Sequence, residues 1–464
     1  MLKLIIEKEL REILGSAKFV FTFAVCSVLI LLTFYVGAKN YQINKSQYDA
    51  AKTENVRSMQ DLTDWRMAQV KIFLPPMPLA SLVNGVSNDI GRNIDMAGMG
   101  ELVAKESKYN EDPIYAVFRF LDLDFLFQII LSLFAILFTY NAINGEKEGG
   151  TLALSFSNSI PRDKFILGKI IGSFIALATP LIIPLLIGCL LLPVLGVPMA
   201  AQDWFKLFFI IILGFLYFSV FLSMSVFMSV IMKQSSSSFL MMLVIWIFSV
   251  IVIPRTAVIV AGRAVDVPSV DEVNSQKSKY SMQLSDEFFH KMMQFKPTQE
   301  GMDAFKEFQT FTAGLSETRA AQLKSFTDKI NQERENKQEL QQNFAFGLSR
   351  ISPSACFSLA ATNMACTSLK LIEEFNRQAV NYQGIFKDFQ MSKTGATSGG
   401  MIMFTTRGDK DKKIDPNELP QFQFIPPSFG SQFGKALIDL AILILYNLIF
   451  FIGSFVAFLK YDLR

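Results

Sequence analysis

Six stretches of this chain are apolar almost without interruption, and each is long enough to cross a hydrocarbon core of roughly 30 Å. They cover residues 19–38, 122–143, 165–195, 205–232, 239–261 and 436–459, and each reads as a transmembrane helix. The third carries Pro180, Pro184 and Pro193, which predicts a kink or a split. Ahead of the first, Leu2, Ile5, Ile6, Leu10, Ile13 and Leu14 recur at helical spacing, with Lys3, Glu7, Lys8, Arg11 and Glu12 on the other face. That pattern predicts an amphipathic interfacial helix within residues 1–18. The fold class that follows is an all-α polytopic membrane protein of six spans, with a mainly helical extracytoplasmic domain.

Orientation follows from basic residues in the short flanks. Lys3, Lys8, Arg11 and Lys18 precede the first span, Lys147, Arg162, Lys164 and Lys169 decorate the island and the start of the third, and Lys233, Lys460 and Arg464 follow the fourth and sixth. The loop 196–204 has neither Lys nor Arg. Both termini and the polar island at 144–164 are therefore expected in the cytoplasm, and the long segments 39–121 and 262–435 outside. In the second of these, Phe305, Phe308, Phe311, Leu315, Leu323, Phe326 and Ile330 have helix-like spacing, and Phe305, Phe308, Phe311 and Phe326 are expected to be largely buried in a mostly helical domain. Residues 333–342 suit an exposed helix and 368–382 another. Residues 393–400 and 408–420 read as loops.

Composition agrees with the pattern. Of 464 residues 51% are hydrophobic and 18% charged, where a soluble domain carries about a quarter charged. A net charge of +3 gives no footing for a nucleic-acid partner. One histidine, His290, leaves little room for a metal centre or a Ser/His/Asp triad, so no catalytic or metal-ligating residue is assigned. Of the four cysteines, Cys356 and Cys366 stand ten apart, about 15 Å along one helix, so a disulfide between them needs a break in the helix. Nothing matches G-x-x-x-x-G-K-[ST], since Gly168-Lys169 is followed by Ile170. The chain is expected to bind no nucleotide itself.

The island is the most informative stretch. It reads Glu146-Lys147-Glu148-Gly149-Gly150-Thr151-Leu152-x-Leu154, then Pro161-Arg162, then Gly168-Lys169 opening the next span. Carboxylates suit a helix start, the glycine pair suits a tight turn, and Leu152 and Leu154 offer an apolar face. With Lys8-Glu9-Leu10-Arg11-Glu12 before the first span, this resembles permeases of the type-2 ABC exporter superfamily. A further likeness is Ser349-Arg350-Ile351-Ser352-Pro353 followed by Ala361 and Thr367; it looks like the branch with a large extracytoplasmic insertion before the last helix. The resemblance implies that Glu146, Lys147, Glu148, Gly149, Gly150, Thr151, Leu152, Leu154, Pro161 and Arg162 form a coupling helix seated in a groove of an ATPase subunit. It further implies two such ATPases carrying ATP and Mg, a homodimer or a heterodimer with a second permease, and the cytoplasmic membrane of a prokaryote. The plain alternative for the island is a solvated loop. Glu146 and Glu148 are expected to be exposed in the isolated subunit.

Polar residues inside spans are the remaining candidates, because burial in lipid is costly. Gln128 and Asn141 in the second span and Asp439 and Asn447 in the last could line a substrate pathway. Taken singly, glue between helices is the commoner role for such residues. Three functions fit these features. One is a transport subunit exporting a hydrophobic or amphipathic substrate. Another is a mechanotransmitter that drives an extracytoplasmic partner without moving substrate. The third is a receptor or scaffold whose outer domain binds a ligand.

Overall fold

A computed structural model describes residues 2–87, 92–96, 104–105, 122–157, 161–298, 301–394 and 413–460. The loops expected at 393–400 and 408–420 lie in part outside these residues. The chain divides into two compact units, one of residues 1–250 with 352–464 and one of residues 251–351. The stretch expected as one outer segment, 262–435, is therefore shared between them.

In the first unit, α1 (Leu2–Leu14) is followed by α2 (Ala17–Met59), where Ser16 caps the start by accepting from Phe19 N. Helix α2 runs 43 residues, far past the span expected at 19–38. Residues 123–139 form α3, begun by the Asp122 cap and loosened by a π-turn at Leu126–Leu131. Two short helices, α4 (Asn144–Glu148) and α5 (Thr151–Ser157), make the island, joined through Gly150 at φ 68°. Then come α6 (Arg162–Val194), α7 (Ala201–Ile231) and α8 (Ser235–Ile247). Helix α6 is continuous through all three prolines, so the expected split does not occur. Neighbouring helices let a membrane-embedded helix absorb the lost bonds.

The second unit consists of α9 (Ile253–Ala264), α10 (Val270–Met293) and α11 (Met302–Ser349). Ser269 caps α10 by accepting from Glu272 N. Tyr280 stacks on Phe326 at 3.9 Å and Phe295 on Phe311 at 4.6 Å, while Arg319 donates to Ser285 Oγ at 2.7 Å. The expected burial of the phenylalanines is overturned at Phe305, which is 67% exposed, and at Phe308, 36% exposed. Helical spacing put them on one face, but α10 ends at Met293 and Phe295 covers only part of that face.

The chain returns to the first unit through α12 (Pro353–Ala365), α13 (Lys370–Thr394) and α14 (Phe429–Leu459). Among the described residues, seven helical stretches are long and apolar enough to cross a membrane: Ala17–Met59, Leu123–Glu148, Arg162–Val194, Ala201–Ile231, Ser235–Ala264, Pro353–Thr394 and Phe429–Leu459. The sixth is additional to the six expected. It is not one straight rod, because Cys366 closes α12 in the left-handed conformation at φ 62°. At 13 residues α12 is only about 20 Å long, too short to span alone. It nevertheless buries Cys356, Phe357, Ala360, Ala361 and Met364 in the same core as the spanning helices. No disulfide joins Cys356 and Cys366, and α12 runs unbroken from Cys356 to Ala365, turning only at Cys366 itself.

A small antiparallel sheet departs from the all-helical expectation in detail. Strands β1 (Val70–Phe73), β2 (Asn93–Met96) and β3 (Ala104–Lys105) pair in that order, with Val70 opposite Met96 and Asn93 opposite Lys105. Trp65, Ile72 and Ile94 form a second core with Phe375, Tyr382 and Phe386 of α13.

Candidate functional site

Four charged side chains from three helices meet beneath the island. Lys169, on the first turns of α6, is 2% exposed; its Nζ lies 2.5 Å from Glu9 Oε1 and 2.6 Å from Glu146 Oε1. Lys8 Nζ lies 2.6 Å from the same Glu146 oxygen. The expectation that Glu146 is exposed is therefore overturned. Two carboxylates and two ammonium groups balance, which is what permits such burial. Burial pushes the Glu9 carboxyl above its usual range against the pull of the Lys169 ammonium. The carboxylates of Glu9, Glu12 and Glu146 converge closely enough to suit a metal ion, but the Lys169 ammonium already occupies the position of the cation.

Glycine brings α1 this close. A Cβ on Gly168 would lie 2.7 Å from Ile5 Cγ2, and one on Gly172 would lie 2.9 Å from Glu9 Cβ. The pair forms a small-xxx-small stripe along α6, and Ile5, Glu9 and Ile13 are the buried positions of α1. The expected surface helix is thus bolted to α6 on that face.

The rest of the island is tied to other helices. Ser229 Oγ of α7 donates to Asn144 Oδ1 at 2.9 Å and accepts from Ile143 N at 2.9 Å. Glu148 accepts from Ser235 N at 2.8 Å and Ser235 Oγ at 2.7 Å, capping α8; although exposed as expected, it is engaged within the chain. Arg162 Nη1 donates to Phe458 O at 3.0 Å and Leu459 O at 2.6 Å, closing the C-terminus of α14. Leu152 is buried, and Phe156 packs on Phe165 and Phe458. Left facing outward are Lys147, Glu148, Gly149, Gly150 and Thr151, with Leu154 69% exposed. Pro161 is exposed and directly precedes α6.

The intramembrane candidates sit elsewhere. Gln128 Oε1 accepts from Ser354 Oγ at 2.8 Å and Asp124 Oδ2 from Ser358 Oγ at 2.9 Å, fastening α12 to α3. Tyr217 donates to the Gln128 carbonyl at 3.1 Å and stacks on Phe357 at 5.2 Å. Ser352 Oγ donates to the Ser249 carbonyl, and Trp246 Nε1 to Ser132 Oγ at 2.7 Å. Asn447 accepts from Ser219 Oγ at 2.8 Å and donates to Leu216 O at 3.2 Å, joining α14 to α7. Asp439 is fully buried, whereas Asn141 is exposed at the island end of α3. Glue accounts for Gln128 and Asn447. Replacing Asn447 with Leu should then cost about 0.6–1.7 kcal/mol of stability and leave substrate preference unchanged. A shift in preference without loss of stability would assign Asn447 to the pathway instead.

A polar element that holds the ends of the spanning helices and still presents an outward ridge suits a membrane subunit moved by a partner. The family model described as ABC-2 family transporter protein matches residues 4–463. The chain belongs to the ABC-2 transporter family. None of the curated proteins compared with it matches. Membership makes this permease an integral, multi-pass transport subunit whose family works with an ABC ATPase. Such subunits normally lack an ATPase of their own.

Reading the sequence alone missed Lys169, Glu9 and Lys8 as partners of Glu146, and it missed α12. Two signals were present. One was a lysine flanked by Gly168 and Gly172 at the head of a span. The other was a Ser-Pro cap before a run of small residues at 353–365.

Proposed function

We propose that this permease is the membrane half of an ABC exporter, and that the island is where its ATPase docks. The observation that carries the reading is the wiring of the island. Its side chains bond or pack to α1, α6, α7, α8 and α14, so a push on its outward ridge reaches five helices at once. The ridge is neither strongly charged nor wholly apolar, as suits a surface that engages and releases. In this reading the termini and the island face the cytoplasm, and two copies, or this chain with a sister permease, meet two ATPases that hold ATP and Mg. A hydrophobic or amphipathic substrate leaves between the paired subunits.

The test uses two residues exposed on the ridge. Lys147→Glu combined with Leu154→Asp should weaken association with the ATPase by about 1–3 kcal/mol, the range for losing an interface anchor, with unchanged thermal stability. Co-purification and stimulated ATP hydrolysis are the readouts. Parental association and stimulation by the double variant would remove the island as the coupling element.

A second reading, mechanotransmission, is favoured by one element. Helix α11 has 48 residues, about 70 Å of rod, which could carry a stroke to a partner beyond the membrane. Substrate flux in vesicles separates the two, since the second reading requires ATPase stimulation without flux.

A further inference from the structure

A cavity of about 740 Å³ opens at the N-terminal end of α14, bounded by α13 and residues 425–427. That is a volume typical of small-ligand sites, and nothing in the coupling reading uses it. Gln432 lines the cavity yet is only 3% exposed. Its Nε2 lies 2.9 Å from Cys366 Sγ, and its Oε1 has no partner among the described residues. Exchanging amide oxygen and nitrogen lets the thiol donate to the oxygen and frees the NH2 group for a ligand acceptor. An anion selects that orientation.

The charges agree. Arg377 is committed to Glu374 at 2.6 Å, which leaves Lys370 and Lys435 in the lining against Glu373. The remaining wall is apolar, formed by Leu371, Ile425, Pro426 and Pro427.

We propose that this cavity binds an anionic amphiphile, with its carboxylate or phosphate drawn to Lys435 and the Gln432 amide and its apolar body against residues 425–427. The site is separate from the island and stands whether or not the coupling reading holds. Equilibrium binding of radiolabelled laurate to the full chain in phosphatidylcholine nanodiscs, corrected with empty discs, tests it. Binding should be saturable, and dodecanol, with the same chain and no charge, should not compete. Lys435→Glu, at an exposed position that leaves folding intact, should weaken binding by about tenfold or more. Gln432→Leu should weaken it by about threefold, while Lys329→Glu in the second unit leaves it unchanged. Discs containing phosphatidylglycerol distinguish the source: competition with laurate assigns the site to a lipid headgroup, and no competition assigns it to a free amphiphile. Unsaturable binding, equal competition by dodecanol, or parental affinity in Lys435→Glu overturns the proposal.

Discussion

Lys169→Met is expected to destabilise the folded permease by about 3–5 kcal/mol, the cost of leaving the buried Glu9 carboxylate without its cation and Glu146 with Lys8 alone. Lys169 is 2% exposed and touches both Glu9 and Glu146. Methionine is unbranched and only one heavy atom shorter, so the loss reports charge more than a cavity. Neutralising the carboxylates as well, with Glu9→Gln and Glu146→Gln in the Lys169→Met background, should recover most of the stability. Thermal unfolding of the detergent-purified chain, set against the parent, measures both. A loss under about 1 kcal/mol in the single variant, within the range of ordinary surface changes, would mean that the network does not hold this end of the bundle. The same geometry makes Glu146→Lys a poor probe of docking, because it would place a third ammonium beside Lys8 and Lys169.

Gly168→Val together with Gly172→Val should be nearly as damaging. Each added Cβ falls under 3.0 Å from α1, onto Ile5 and onto Glu9. Overpacking of this kind costs about 1–3 kcal/mol per site. The overlap can be relieved only by lifting α1, which also withdraws Glu9 from Lys169. Limited trypsin digestion should then cut α1 at Lys3, Lys8 or Arg11 well before the parent is cut there. Equal protection of α1 in parent and variant would show that the helices are held by other contacts.

The spanning helices were legible because lipid enforces long apolar runs; the runs 205–232 and 436–459 end with α7 and α14 to within a residue, while both helices begin earlier, at Ala201 and Phe429. What stayed hidden was pairing. A charge in a polar stretch reads as solvated, because water is its cheapest surrounding unless a partner is at hand. The partners of Glu146 stand 138 residues before it and 23 after it, a relation no periodicity reports. Helix α12 was obscured for a different reason. Its 13 residues mix Ser, Ala, Thr and Asn with Phe and Met, a composition that packs well against other helices but does not look like a span. The phenylalanines of α11 were placed on the correct face of a helix. The error lay in assuming that a partner covers the whole of it.

The length of α2 has a mechanical consequence. Its 43 residues extend about 64 Å, twice a hydrocarbon thickness, with no break where the apolar stretch gives way to the polar one. Near the far end, Asn55 clasps the first strand, accepting from Lys71 N at 3.1 Å and donating to Lys71 O at 3.2 Å. Close to the near end, α1 is anchored on α6. A rod fixed in this way magnifies angle into travel: a tilt of 10° about its base would carry the strand end by about 11 Å. Small rotations among the packed helices would thus emerge as large excursions of the sheet and the helix covering it.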